Sequence, residues 1–292
     1  MSSRALVPVQ GTHIALPPFV RYRPLLVIAL VLVPRFLAAQ ESTAFPRFSI
    51  RAGEYRAGFA TDARVDPSST NGPSATQVNL EGDLGLARTK NLVDLGIQWR
   101  PLERHELEAT YSAASRQGSG RIAESIQFHN HLYPVDSLVT TDFKVTKWEA
   151  KYTYWAVRSP RAGFGFVLGA AGLSLDANLS ASVLFPVLSI TESARTSFPV
   201  ALGGARFRYA FSDRVFGEVT AAALPRVKVD VYSGRATSAD ARIEMRVAGP
   251  LGIGAAWNYF KIDGTVTDPN FGGRLGLRAS GIEGYVRLAL LR

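Results

Sequence analysis

From Phe48 onward the chain has no sustained apolar spacing at i, i+3, i+4 and i+7, while apolar and polar residues alternate with a period of two over long segments. The clearest run is Ala171 to Val183. Its odd positions are all apolar, and its even positions are Gly, Ser, Asp, Asn, Ser and Ser. Val227, Val229 and Val231 alternate with Arg226, Lys228 and Asp230, and Ala241, Ile243, Met245 and Val247 alternate with Asp240, Arg242, Glu244 and Arg246. A period of two gives a strand one apolar and one polar face. The pattern predicts ten strands: Phe48 to Val65, Val78 to Arg100, His105 to Gln127, Leu138 to Val157, Gly163 to Val183, Phe198 to Phe211, Val215 to Tyr232, Ala239 to Val247, Leu251 to Val266 and Arg274 to Leu290. Eight or twelve strands also fit, because the first two segments are long and imperfectly patterned.

Turn signals divide these strands: Pro101-Leu102-Glu103-Arg104, Arg158-Ser159-Pro160-Arg161, Ser212-Asp213-Arg214 and Gly249-Pro250. Longer polar stretches lie between them: Asp66 to Gln77, Phe128 to Asp136, Leu184 to Ser197, Ser233 to Ser238 and Asp268 to Gly273. Short and long connections therefore alternate along an all-β chain with an even strand number. That is the arrangement of an antiparallel up-and-down barrel crossing an outer membrane, with tight periplasmic turns and larger outer loops. Several strands exceed the roughly 10 residues a tilted crossing needs, so they are expected to project beyond the membrane. Pro225 cannot serve a continuous ladder and is expected at a bulge or above the membrane.

The alternation also assigns faces. Leu107, Ala109, Tyr111 and Ala113 are expected toward lipid and Glu106, Glu108, Thr110 and Ser112 toward the lumen; on the next strand Trp148, Ala150, Tyr152 and Tyr154 face lipid, and Lys147, Glu149, Lys151 and Thr153 face inward. The expected lumen charge network is Glu106, Glu108, Lys147, Glu149, Lys151, Arg226, Lys228, Asp230, Asp240, Arg242, Glu244 and Arg246. Charges of both signs on adjacent strands can pair and fill the lumen, or line a narrow aqueous pore as selective rings. Trp99, Trp148, Tyr152, Tyr154, Phe207, Tyr209 and Phe211 are the expected membrane-interface aromatics, and Trp155, Phe164, Phe166 and Phe216 lie near the same turns.

Composition sharpens this reading. The 292 residues are 47% hydrophobic, with a net charge of +9 and no cysteine, and mean hydropathy is only +0.05. Those values exclude a polytopic helical membrane protein, a disulfide scaffold and a Cys-ligated metal site. Residues 1–39 hold four arginines and no acid, and the rest of the chain carries 29 basic against 24 acidic residues. The basic residues are interleaved with acidic ones, so no nucleic-acid partner is expected. Within that first segment, Arg21-Tyr22-Arg23 precedes the apolar run Pro24 to Val33, and Leu37-Ala38-Ala39 offers small residues for a signal peptidase. Residues 1–39 are thus expected to be an export signal, with 1–19 an over-long start, and 40–292 the barrel domain.

The stretch Asn79-Leu80-Glu81-Gly82-Asp83-Leu84-Gly85-Leu86, then Trp99-Arg100-Pro101 with Arg104-His105, then Tyr133-Pro134-Val135 and the Tyr152-Thr153-Tyr154 strand resemble the small bacterial outer-membrane β-barrel proteins, broadly of the OmpA/OmpW type. The resemblance implies an outer-membrane location, contact with outer-membrane lipid and assembly by the barrel insertion machinery; it assigns no substrate, and the chain departs from the pattern by lacking a terminal aromatic residue.

Candidate chemistry is sparse. His105 adjoins a predicted turn, where a hydrogen bond to turn backbone is expected. His129 and His131 can point one way in an extended loop, with Asp136 a candidate third ligand, but two histidines do not make a metal site. Ser137 and Thr140 lie near the same histidines, with no spacing that compels a nucleophile and base. The expectation is a non-enzymatic barrel without a cofactor, serving envelope integrity, surface binding or a narrow pore. Two alternatives remain: a barrel enzyme acting on lipid or peptide at the rim, and a soluble lipocalin-like binder with apolar residues inside.

Overall fold

The computed structural model describes residues 45–66, 76–121, 126–128, 131–133, 137–184, 187–229, 232–268 and 271–291. The expected leader, His129 and Asp136 lie outside them. In chain order the strands are β1 (Phe48–Asp66), β2 (Thr76–Asn79), β3 (Thr89–Leu102), β4 (His105–Arg121), β5 (Ile126–Phe128), β6 (His131–Tyr133), β7 (Leu138–Arg158), β8 (Ala162–Leu184), β9 (Val187–Ala210), β10 (Val215–Val229), β11 (Tyr232–Ala248), β12 (Leu251–Asp268) and β13 (Phe271–Leu291).

Eleven of these form one antiparallel sheet in the order β13-β12-β11-β10-β9-β8-β7-β4-β3-β1-β2, closed by a β13–β1 pairing. Ten strands make the ring, and short β2 pairs only with the far end of β1, from Asp62↔Asn79 to Val65↔Thr76. A closed meander has no free edge, so every ladder finds a partner within the wall. β5 and β6 form a separate hairpin.

Tight turns join the strands at the end that holds Phe48 and Leu291. At Ser159, for example, the backbone N–H donates to the Ala162 carbonyl over 2.7 Å, and the Ala162 N–H donates back to the Ser159 hydroxyl over 2.9 Å. Gly249, at φ +52, supplies the left-handed position in the β11–β12 turn.

At the opposite end the strands run further than their pattern predicts. Pairing continues to Leu184↔Val187 and Val229↔Tyr232, so the expected loops at 184–197 and 233–238 are largely strand. The expected long strand from Val78 is instead broken. Between β2 and β3, residues 80–88 leave the ladder, bury Leu80, Leu84 and Leu86, and complete the wall beside β4. Pro225 falls in the register break between Leu224 and Val227.

The reason for the long strands is a change of phase in the alternation. On β7, Trp148, Ala150, Tyr152 and Tyr154 point outward while Lys147, Glu149, Lys151 and Thr153 point into the barrel. Further along, the outward row becomes Thr140, Asp142, Lys144 and Thr146, and the inward residues are the buried Phe143 and Val145. β8 does the same, passing from outward Phe164, Phe166 and Leu168 to outward Ser174, Asp176 and Asn178. The apolar row Ala171, Leu173 and Leu175 therefore faces inward, not outward as a lipid-facing reading of the whole strand requires. The barrel is inside-out beside its tight turns and has an apolar interior at its far end. Polar outward residues there read as loop because sequence alone does not show the phase change.

Candidate functional site: the barrel lumen

The lumen is filled in layers. At the end bearing the tight turns, Phe45, Trp155, Ala210 and Phe216 form a buried cluster. Phe45 meets Trp155 edge to face, with ring centroids 5.2 Å apart, and Arg100 donates to the Phe45 carbonyl over 2.5 Å. The Arg208 guanidinium lies 5.0 Å from the Phe45 ring and 4.9 Å from that of Trp155. Trp155 and Phe216 thus point inward, and are not part of an interfacial girdle.

Above this floor lies the charged layer. Arg206 on β9 donates to Glu106 over 2.8 Å and also to Glu108, both on β4. Arg208 grips Glu106 through both terminal nitrogens, at 3.0 and 2.9 Å, and pairs with Glu218 on β10. Trp155 Nε1 donates to Glu106 over 3.2 Å. Arg242 on β11 donates to Glu108 over 3.3 Å, across the full diameter, since four strands separate β4 from β11 either way around the ring. Lys151 joins Glu149 at 3.0 Å and Asp240 at 3.6 Å, and Arg287 joins Glu244 at 3.0 Å. Arg51 on β1 lies 3.4 Å from Asp94 and 3.7 Å from Glu283.

A buried ion pair offsets its desolvation cost only where geometry is good and spare valences are met. Here each of Glu106 and Glu108 faces more than one cation, and Glu106 is fully buried.

Between the charges and the apolar far end is a cavity of about 60 Å³, lined on one side by Asp94, Lys147, Asp240 and Glu283 and on the other by Phe59, Leu173 and Phe260. Beyond it the interior is hydrocarbon, from Tyr55, Phe59 and Leu92 around the ring to Ile262 and Leu277. One ion pair sits among these residues. Arg116 donates to Glu81 over 2.5 Å, Glu81 accepts from the Thr61 N–H over 2.7 Å, and the Arg116 guanidinium lies 4.3 Å from the Phe59 ring centroid. This pair ties residues 80–88 to β1 and β4.

The expected network residues divide as follows. Glu106, Glu108, Lys147, Glu149, Lys151, Asp240, Arg242 and Glu244 are in the lumen, and Arg246 lines its mouth beside Gly249. Arg226 and Lys228 are exposed, because the bulge at Pro225 ends the regular alternation of β10; Asp230 lies outside the described residues. Arg51, Asp94, Arg206, Arg208, Glu218, Glu283 and Arg287 belong to the network and were not expected from the sequence reading.

The outward aromatics form two rings. Trp99, Tyr154, Phe207, Tyr209 and Phe211 are exposed at the end of the tight turns, with Tyr152 half-buried beside them. Trp148 stands apart from them, with Tyr111, Trp257 and Tyr259, at the far limit of the apolar band. His105 shares 2.7 Å with the Tyr152 hydroxyl, so its partner is a side chain and not turn backbone. His131 is in β6, in the separate hairpin. Among the described residues no group of three His, Asp, Glu or Cys is placed to hold a metal ion.

No family model matches this chain, and no curated protein does. Solved structures do. The outer-membrane protease OmpT from Escherichia coli aligns over 86% of this chain and 99% of its own, at 10% identity and a TM-score of 0.53. The translocator domain of the autotransporter NalP from Neisseria meningitidis aligns over 82% and 88%, at 13% identity and a TM-score of 0.40. The similarity to the outer-membrane protein OmpT and the closed antiparallel ring together show that this chain has the outer-membrane β-barrel fold. An identity of 10% conveys the fold and nothing of the protease's chemistry.

Proposed function

We propose that the protein resides in a bacterial outer membrane, both termini on the periplasmic side, as a closed barrel with a structural and surface role and no reaction of its own. The outward apolar band between two aromatic rings supports the membrane placement, because such a band is stable only against hydrocarbon. The observation that carries the closed state is the contact between Glu108 and Arg242 across the lumen diameter, flanked by Arg206 and Arg208. A ten-strand lumen is only slightly wider than the eight-strand lumen that side chains fill, and here it is crossed by ion pairs and capped by an apolar core. The projecting far end then acts as a rigid platform for surface contacts.

Planar-bilayer recording tests this. Purified protein is expected to insert without producing stepwise ionic current; regular unitary steps would establish a pore and overturn the closed reading.

A further inference from the structure

Beyond the upper aromatic ring the outward surface is not uniform. On β11, β12, β13 and β1, neighbouring outward residues fall into register rows. Lys261 is paired with Arg278, Arg274 with Arg64, and between these rows Gly276 stands between Asp62 and Asp263, with Arg235 beside Asp263. Among the described residues of these rows, five basic residues thus stand with two acids.

Like charges directly opposite one another destabilise a ladder unless something of opposite sign lies between them, and the local acids are already engaged. Asp263 is held by Arg235 at 2.7 Å and Lys261 at 3.5 Å, and Asp62 accepts from Asn79 over 3.0 Å. Arg274 and Arg278 are exposed and have no ion pair among the described residues. They are four residues apart on one strand, about 13 Å at Cα, with the bare backbone of Gly276 between them. The same level of β7 and β8 carries Asp142, Lys144 and Asp176, with Lys144 paired opposite Asp176. The like-charged rows of β12, β13 and β1 thus have no counterpart on β7 and β8, where a lysine stands opposite an aspartate.

We propose that this face of β11, β12, β13 and β1 binds the phosphate-bearing headgroups of outer-leaflet lipid. Its height selects a lipid over a soluble anion. Ile282, four residues after Arg278 toward the band, is 66% exposed on the outward apolar surface. Tyr259, two residues before Lys261, stacks on Trp257 with centroids 6.0 Å apart. Tyr and Trp mark the boundary between hydrocarbon and headgroups, so cations immediately past them stand at headgroup depth, where bidentate guanidinium contacts to phosphate form. The inference rests on the membrane placement proposed above.

The full chain, purified in nonionic detergent, is titrated with lipid A carrying two, one or no phosphates, and retained lipid is read by native mass spectrometry. Affinity is expected to fall as phosphates are removed. Near an anionic surface each Lys or Arg contributes roughly a fivefold gain, so Lys261→Gln with Arg274→Gln and Arg278→Gln should weaken binding on the order of a hundredfold, while Lys144→Gln leaves it unchanged. Equal binding of the dephosphorylated lipid, an unaffected triple variant, or equal and arginine-dependent competition by inorganic phosphate would overturn the proposal. Folding is read separately by heat-modifiable gel migration. A chain that never shows it contradicts the membrane reading itself, whereas a folded barrel indifferent to lipid phosphate contradicts only this inference.

Discussion

Arg206 illustrates how much hangs on single side chains in the lumen. It is 1% exposed and bonds two carboxylates on a strand three places away around the ring. Arg206→Met would leave Glu106 and Glu108 short of a cation in a dry interior, and removing one partner of a buried pair costs about 3–5 kcal/mol. A urea titration of the detergent-solubilised variant should show a loss of that size; Lys144→Met, outward and exposed, should change stability by no more than about 0.5 kcal/mol. Both residues were within reach of the alternation. Phe207 and Tyr209 read as lipid-facing, and the same parity turns Arg206 and Arg208 inward. The pairing of Glu108 with Arg242 was not legible, because strand order fixes which residues stand opposite, and no local pattern encodes a contact across 134 positions.

At the scale of the element, β7 and the segment 80–88 differ in what the sequence discloses. From Lys147 to Tyr154 the lower half of β7 follows its alternation, because lipid and lumen impose opposite demands on successive side chains. Its upper half follows an equally regular alternation with the demands reversed, as water replaces lipid outside and hydrocarbon replaces charge inside. The pattern gives the period but not the phase. The segment 80–88 departs from strand for a reason that lies in its neighbours. Gly85 takes φ +64, and at Gly118 on β4 an added methyl would run into the Gly85 carbonyl and the Leu86 nitrogen. Gly118→Ala should therefore push the segment off β4 without opening the ring. Limited chymotrypsin digestion is expected to cut after Leu84 or Leu86 in the variant and to spare the parent; equal resistance would mean the segment does not depend on this close approach.

For the whole molecule, the composition that looked contradictory is resolved by two alternations of opposite phase. Nearly half of the chain is hydrophobic, yet mean hydropathy is close to zero, because apolar residues are divided between an outer band facing lipid and an inner core beyond it. The closed ten-strand ring and its tight turns were legible from period and turn chemistry. The inner core was not, and it makes part of the lipocalin-like pattern real: the far end has an apolar inside and polar outside while the lower half excludes a soluble barrel. The membrane placement requires a particular solvent at each outward position, and a chain with no cysteine allows that solvent to be read one position at a time. Thr140 and Ala150 share one strand, one parity and an exposed outward position. In reconstituted membranes a water-soluble maleimide should label Thr140→Cys rapidly and leave Ala150→Cys unlabelled until the protein is unfolded. Rapid labelling of Ala150→Cys in the folded, membrane-inserted protein would contradict the account.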